Sequence, residues 1–115
     1  MRLLRLFAAI LSSYAPTSEH DVEQMFGAIA DELGFEIIGN RNSFPDCEAR
    51  KKVKADRERW EKCLIEYEFS SQDYKKHKHP LGGCNLIVCW QHNWVDCPIE
   101  VLELQQAIKN LPGGK

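Results

Sequence analysis

The chain has 115 residues, 43% of them apolar and 28% charged, with a formal net charge of −2. That is long enough and apolar enough for one domain, 1–115, with a real core, and too apolar for a disordered chain. No run of about 18 apolar residues occurs to span a membrane, and the near-neutral balance excludes a wholly basic nucleic-acid coat while leaving room for local basic patches.

In chain order, MRLLRLFAAILSSYA faintly imitates a secretory leader. Arg5 interrupts its apolar stretch and Pro16 follows the would-be cut, so an amphipathic helix over 1–15 is expected. Ser18 then offers an N-cap, with Asp21 three residues on. Val22, Met25, Phe26, Ile29, Ala30 and Leu33 form a helical stripe, and Gly34 stands where a left-handed cap is expected. Phe35 to Ile38 begins a strand, and Arg41 to Asp46 either continues it or pairs back on it. Pro45 marks a strand end or edge.

The segment 47–62 is polar and rich in Arg, Lys and Glu. Propensity makes it partly helical, but its apolar residues are too sparse to anchor a helix, and its structure stays open. CLIEYEF at 63–69 is a strand with Leu64, Glu66 and Glu68 on one face and Cys63, Ile65, Tyr67 and Phe69 on the other. Ser71 to His79 is a short basic helix or turn, ended by Pro80, Gly82 and Gly83. CNLIVCW at 84–90 has the continuous apolar character of a strand buried on both faces. Pro98 at a first helical position, followed by Ile99, Val101, Leu102, Leu104, Ile108 and Leu111, predicts a C-terminal helix over 97–111. Helices on both sides of a small mixed sheet make an α/β sandwich.

The five cysteines are odd in number and form no C-x-x-C pair. Several lie in apolar runs, where a free thiol behaves as a small hydrophobe, so a reducing, cytoplasmic setting is expected, with no membrane association. His77, His79 and Cys84 offer a possible zinc set, but their spacing matches no tight zinc pattern. No Ser-His-Asp arrangement or phosphate-binding glycine loop is present.

Glu66 and Glu68 on one face of an apolar strand stand roughly 6–7 Å apart by strand rise. They are harmless on a solvent-facing edge. Buried, they repel unless a cation sits between them, and a hard divalent ion suits carboxylate oxygens. Asp46, just after Pro45, is the candidate second acid, although an Asp after Pro is also a common turn residue.

SFPD at 43–46, followed by IEYE at 65–68, resembles the PD-(D/E)xK nuclease superfamily, the restriction-endonuclease-like fold. That core runs helix, three strands, helix, strand, the order expected from Ser18 to Trp90. The resemblance implies that Asp46 and Glu66 bind Mg2+ or Mn2+, with Glu23 on the preceding helix completing the set. Glu68 stands where the family carries lysine. The resemblance then gives Glu68 the task of orienting or deprotonating water, and a relocated Lys75 or Lys76 that of neutralising charge. The implied function is metal-dependent hydrolysis of DNA phosphodiester bonds, with branched and single-stranded DNA among the candidate substrates. Arg50, Lys51, Lys52, Lys76 and Lys78 are the expected phosphate contacts, although the interspersed acids of the insert also suit a salt-bridged solvent face. A homodimer presenting two sites is expected, since one subunit has little surface to grip a duplex. The alternatives are a non-cleaving nucleic-acid-binding module of the same fold and a zinc-stabilised interaction domain.

Overall fold

The computed structural model describes residues 15–111. All but Ala15 of the helix expected over 1–15 lies outside them. The first described helix, α1 (Glu19–Ile29), starts as its sequence dictates. Ser18 Oγ accepts the Asp21 N–H at 3.2 Å, and the Asp21 carboxylate accepts from the Thr17 N–H and hydroxyl. Val22, Met25, Phe26 and Ile29 form its buried stripe. Gly34 closes the turn after it at φ 88°, in the left-handed region where glycine carries no Cβ penalty.

Five strands form one mixed sheet in the spatial order β1-β2-β3-β4-β5. β1 (Phe35–Asn40), β2 (Cys47–Val53) and β3 (Asp56–Ser70) are an antiparallel meander. The segment left open by sequence, 47–62, is therefore β2 and the first half of β3. Small Cys47 and Ala49 alternate inward, and this period-two signal is too slight in volume to stand out against the charges around it. On the outer face Trp60 lies under the Arg50 guanidinium, 4.4 Å from its ring centre, with the Lys52 ammonium at 5.5 Å.

A short helix, α2 (Gln72–Lys76), leads from β3 towards β4 (Leu86–Gln91), which runs parallel to β3. The helix expected over 97–111 is corrected: Glu100–Glu103 is a strand, β5, parallel to β4, and only Leu104–Lys109 is helical, as α3. Val101 and Leu102 pack against opposite faces of the sheet, which a strand permits and a single helical stripe does not.

Two apolar layers result. On one face α1 and α3 cover Cys47, Ala49, Cys63, Ile65, Tyr67, Leu86 and Val88. The other face buries Ile87 and Cys89 beneath Tyr74, Cys84 and Ile99, with Phe44 and Trp94 at the margin. All five cysteines are free thiols, four of them buried. Among the described residues no helix is long and apolar enough to cross a membrane.

Phe26 is fully buried and stacks edge-on against Phe35 with ring centres 5.4 Å apart. Phe26→Ala is expected to lower unfolding free energy by about 3–5 kcal/mol in urea titrations. Ser18→Ala, which removes only the cap, is expected to cost about 1 kcal/mol.

Candidate metal centre

The pleat of β3 sends Glu66 and Glu68 to the second face of the sheet, at its central strand. Their side chains are buried. β2 begins only at Cys47, which pairs with Ile65, so the ladder would end beside Glu66. Asp46 extends it. Its N–H donates to Glu66 Oε1 at 3.0 Å, and its Oδ2 accepts the Tyr67 N–H at 3.0 Å. The loop bearing Asp46 contains a cis Phe44–Pro45 bond and is closed by Arg41 N–H donating to the Asp46 carbonyl at 2.6 Å. Asp46 and Glu66 thus converge.

The third acid is Glu19. Single carboxylate oxygens of Glu19, Asp46 and Glu66 all lie within 4.8 Å of one another. Glu23, the helical acid expected from sequence, is one turn further along α1, about 6 Å by helical rise. The helix presents its N-terminal end to the acids, so its first turn supplies the carboxylate.

Glu68 is fully buried beside this group and faces two histidines from the loop after α2. His77 Nδ1 lies 3.0 Å from Glu68 Oε1, off hydrogen-bonding geometry, and shares a longer 3.4 Å hydrogen bond with Oε2. His79 Nε2 lies 3.0 Å from Glu66 Oε2 and 3.6 Å from Glu68 Oε2. The His79 ring stacks on Phe44 with centres 4.7 Å apart and meets Tyr74 edge-on. Between the histidines Lys78 adopts φ 58°, and the Tyr74 hydroxyl ties the loop down by donating to the Pro80 carbonyl at 2.6 Å.

Cys84, grouped with the histidines at the sequence level, instead donates its thiol to the Leu86 carbonyl. Glu68 occupies the place beside them. The signal available for this was the H-x-H pair on the loop that follows an acidic strand.

The predicted cations lie elsewhere. Lys75 Nζ sits 5.5 Å over the Trp94 ring, and Lys76 pairs with Asp73 at 3.8 Å. Lys76 and Lys78 are exposed. Arg50 is bound to Glu36 at 2.8 Å, Lys51 lies between Glu61 and Glu100, and Lys52 flanks Trp60. These β2 residues stand roughly 13–20 Å along the strand from Asp46. Among the described residues, the ion-pair partners of Glu66 and Glu68 are the two histidines.

Electrostatically the cluster is short of positive charge. Burial first, then Asp46, raises the Glu66 carboxyl well above its ordinary range. Burial, then the charges of Glu19 and Glu66, pushes Glu68 up to about 9. Glu19, at the open mouth, is raised by desolvation and then by Asp46. His79 is lowered, by desolvation and then by His77. Glu68 Oε1 is left without a hydrogen-bond partner. Carboxylate oxygens from Asp46, Glu66 and Glu19 suit Mg2+ or Mn2+, and a cation there would reverse the electrostatic penalty.

The folded state holds a Glu68 proton that an unfolded chain releases near pH 4.5. The resulting stability is full at low pH and is lost as pH rises towards 9. Without metal, wild-type stability is expected to fall between pH 6 and 8, relative to Glu68→Gln, by up to about 1.4 kcal/mol per pH unit. Parallel urea titrations check this, and equal slopes would count against it.

Compared with known proteins, the chain matches no family model, no curated protein and no solved structure.

Proposed function

We propose that this protein is a divalent-metal-dependent nuclease of the restriction-endonuclease-like, PD-(D/E)xK class, hydrolysing DNA phosphodiester bonds. The observation that carries the reading is the convergence of Asp46 and Glu66 with Glu19 within 4.8 Å. The element order from α1 to β4, helix, three strands, helix, strand, supports it.

Asp46, Glu66 and Glu19 would hold Mg2+ or Mn2+, which when bound polarises a phosphoryl oxygen and lowers the pKa of coordinated water. The residues supply position and proton traffic. The backbone clasp between Asp46 and β3 fixes two of the oxygens before substrate arrives, so little reorganisation is needed. Glu68, which burial keeps protonated at neutral pH, would become a proton acceptor once a bound cation lowered its pKa. His77 and His79 stand where a lysine was expected and can hydrogen-bond to a phosphate or a water. Tyr74, Phe44 and Trp94 close the apolar side of the cleft.

A second reading, a binder that does not cut, is favoured by one observation: no lysine or arginine among the described residues pairs with Glu66 or Glu68. The two readings separate on plasmid, single-stranded and branched DNA with Mn2+. The nuclease reading expects cleavage that falls about a hundredfold or more in Asp46→Asn and Glu66→Gln. Cleavage that survives both substitutions would overturn the assignment of these residues. Binding without cleavage would favour the second reading.

Lys76 and Lys78 flank His77, which contacts Glu68, and both are exposed. Lys76→Ala and Lys78→Ala are each expected to weaken DNA binding independently of base sequence. Each should lower the slope of log affinity against log salt by about one. Unchanged slopes in fluorescence-anisotropy titrations would remove these lysines from the interface.

A further inference from the structure

We propose that Glu68, His77 and His79 form a second cation site, selective for a borderline ion of the zinc class, beside the Asp46–Glu66–Glu19 carboxylates. Three independent features converge on it. The first is donor chemistry. Two imidazoles and one carboxylate are the ligand set of open zinc sites, which leave a fourth position for water or substrate. Imidazole suits Zn2+ and its neighbours, whereas oxygen-only sets suit Mg2+. The two adjoining groups of this cleft therefore differ in the ion they favour.

The second feature is spacing. Ligands about 2.0 Å from a tetrahedral ion stand roughly 3.3 Å from one another. Glu68 oxygens lie 3.0 and 3.4 Å from His77 Nδ1, and Oε2 lies 3.6 Å from His79 Nε2. Single donor atoms of all three residues fall within 4.8 Å of one another. The third feature is an unanswered polar group: Glu68 is fully buried, yet its Oε1 has no hydrogen-bond partner. A buried carboxylate oxygen without a hydrogen bond is costly, and a coordinated cation would answer it.

The surroundings hold the ligands in place. Phe44 and Tyr74 confine the His79 ring, and the Tyr74 hydroxyl anchors the loop at Pro80. Glu66 links the two groups, because its Oε2 is 3.0 Å from His79 Nε2 while its Oε1 accepts the Asp46 N–H. A carboxylate so placed is suited to bridge two ions, an arrangement used in two-metal phosphodiester chemistry. The proposal adds a second ion to the cleft of the proposed nuclease but is read by binding, so it stands or falls apart from cleavage.

The test uses the full chain and Co2+ as a spectroscopic stand-in for Zn2+, with Mg2+ in large excess to fill the oxygen-only group. Wild type is expected to bind one Co2+ with the intense visible bands of a tetrahedral site, and Zn2+ should displace it. Affinity should fall by about a hundredfold or more in His77→Ala, in His79→Gln and in Glu68→Gln. Asp46→Asn should retain the bands while losing Mg2+-dependent cleavage. His77 is about half exposed, at 48%, so its truncation leaves the core intact even where His79→Gln disturbs the loop, and far-ultraviolet circular dichroism verifies each fold. Co2+ binding that is absent in wild type, unchanged in His77→Ala, or abolished by Asp46→Asn would overturn the proposal. If Co2+ binds through the histidines but no DNA is cut, this site stands and the nuclease reading fails.

Discussion

Carboxylates gathered out of water are the constraint around which this fold is arranged. Glu66 and Glu68 rise from the middle of the central strand, Asp46 closes on them from the loop before β2, and Glu19 arrives on the first turn of α1. Like charges so close, and partly desolvated, cannot all ionise at ordinary cost. Something positive must share the space, whether protons, the two histidines or a metal ion. A fold concerned only with stability would place leucine or valine at 66 and 68, as it does at 86–88 on the neighbouring strand.

The two faces of the sheet divide the labour. The face under α1 and α3 holds a continuous apolar layer, with Phe26, Ile65 and Tyr67 at its centre. The opposite face is a smaller cluster of Tyr74, Ile87, Cys89 and Ile99, and its margin is where the acids and histidines emerge. Rigid packing beneath and a short, anchored loop above hold charged groups in fixed positions at a cleft rather than on a mobile surface. Ser71 helps on the far side: buried, it accepts the N–H groups of Asn93 and Trp94 at 2.9 Å each and so fixes the turn that carries Trp94.

Much of this was legible because it rests on periodicity. The stripe from Val22 to Ile29, the alternation through Glu66 and Glu68 and the apolar run at 86–90 each follow one repeat closely. Asp46 was legible through its place after Pro45 at a strand end. The helical acid was placed one turn out: Glu19 and Glu23 share a face, and only the direction in which α1 enters the sheet decides between them. The C-terminal misreading has a similar origin. Ile99, Val101, Leu102 and Leu104 satisfy helical and strand periods alike, and the open edge of β4 settles the choice by offering backbone partners. The partner of the histidines is hidden in the sequence because Cys84, the nearer candidate, turns to the Leu86 carbonyl, while Glu68, on the strand before the loop, faces His77 and His79. Charge-rich β2 hid a strand whose inward residues are only cysteine and alanine.

The Asp46 clasp carries one more implication, for how the chain finds its alignment. If β2 slid by a single position along β3, the acid would meet the wrong amide, and the inward Cys47 and Ala49 would swap sides with Glu48 and Arg50. Two hydrogen bonds made by one residue, its N–H donating to Glu66 and its carboxylate accepting from the Tyr67 N–H, thus act as a key for a hairpin whose own small, weakly apolar residues discriminate poorly between alignments. The carboxylate group and the alignment of the sheet lean on the same aspartate, so the residue has a structural task whatever the acids bind.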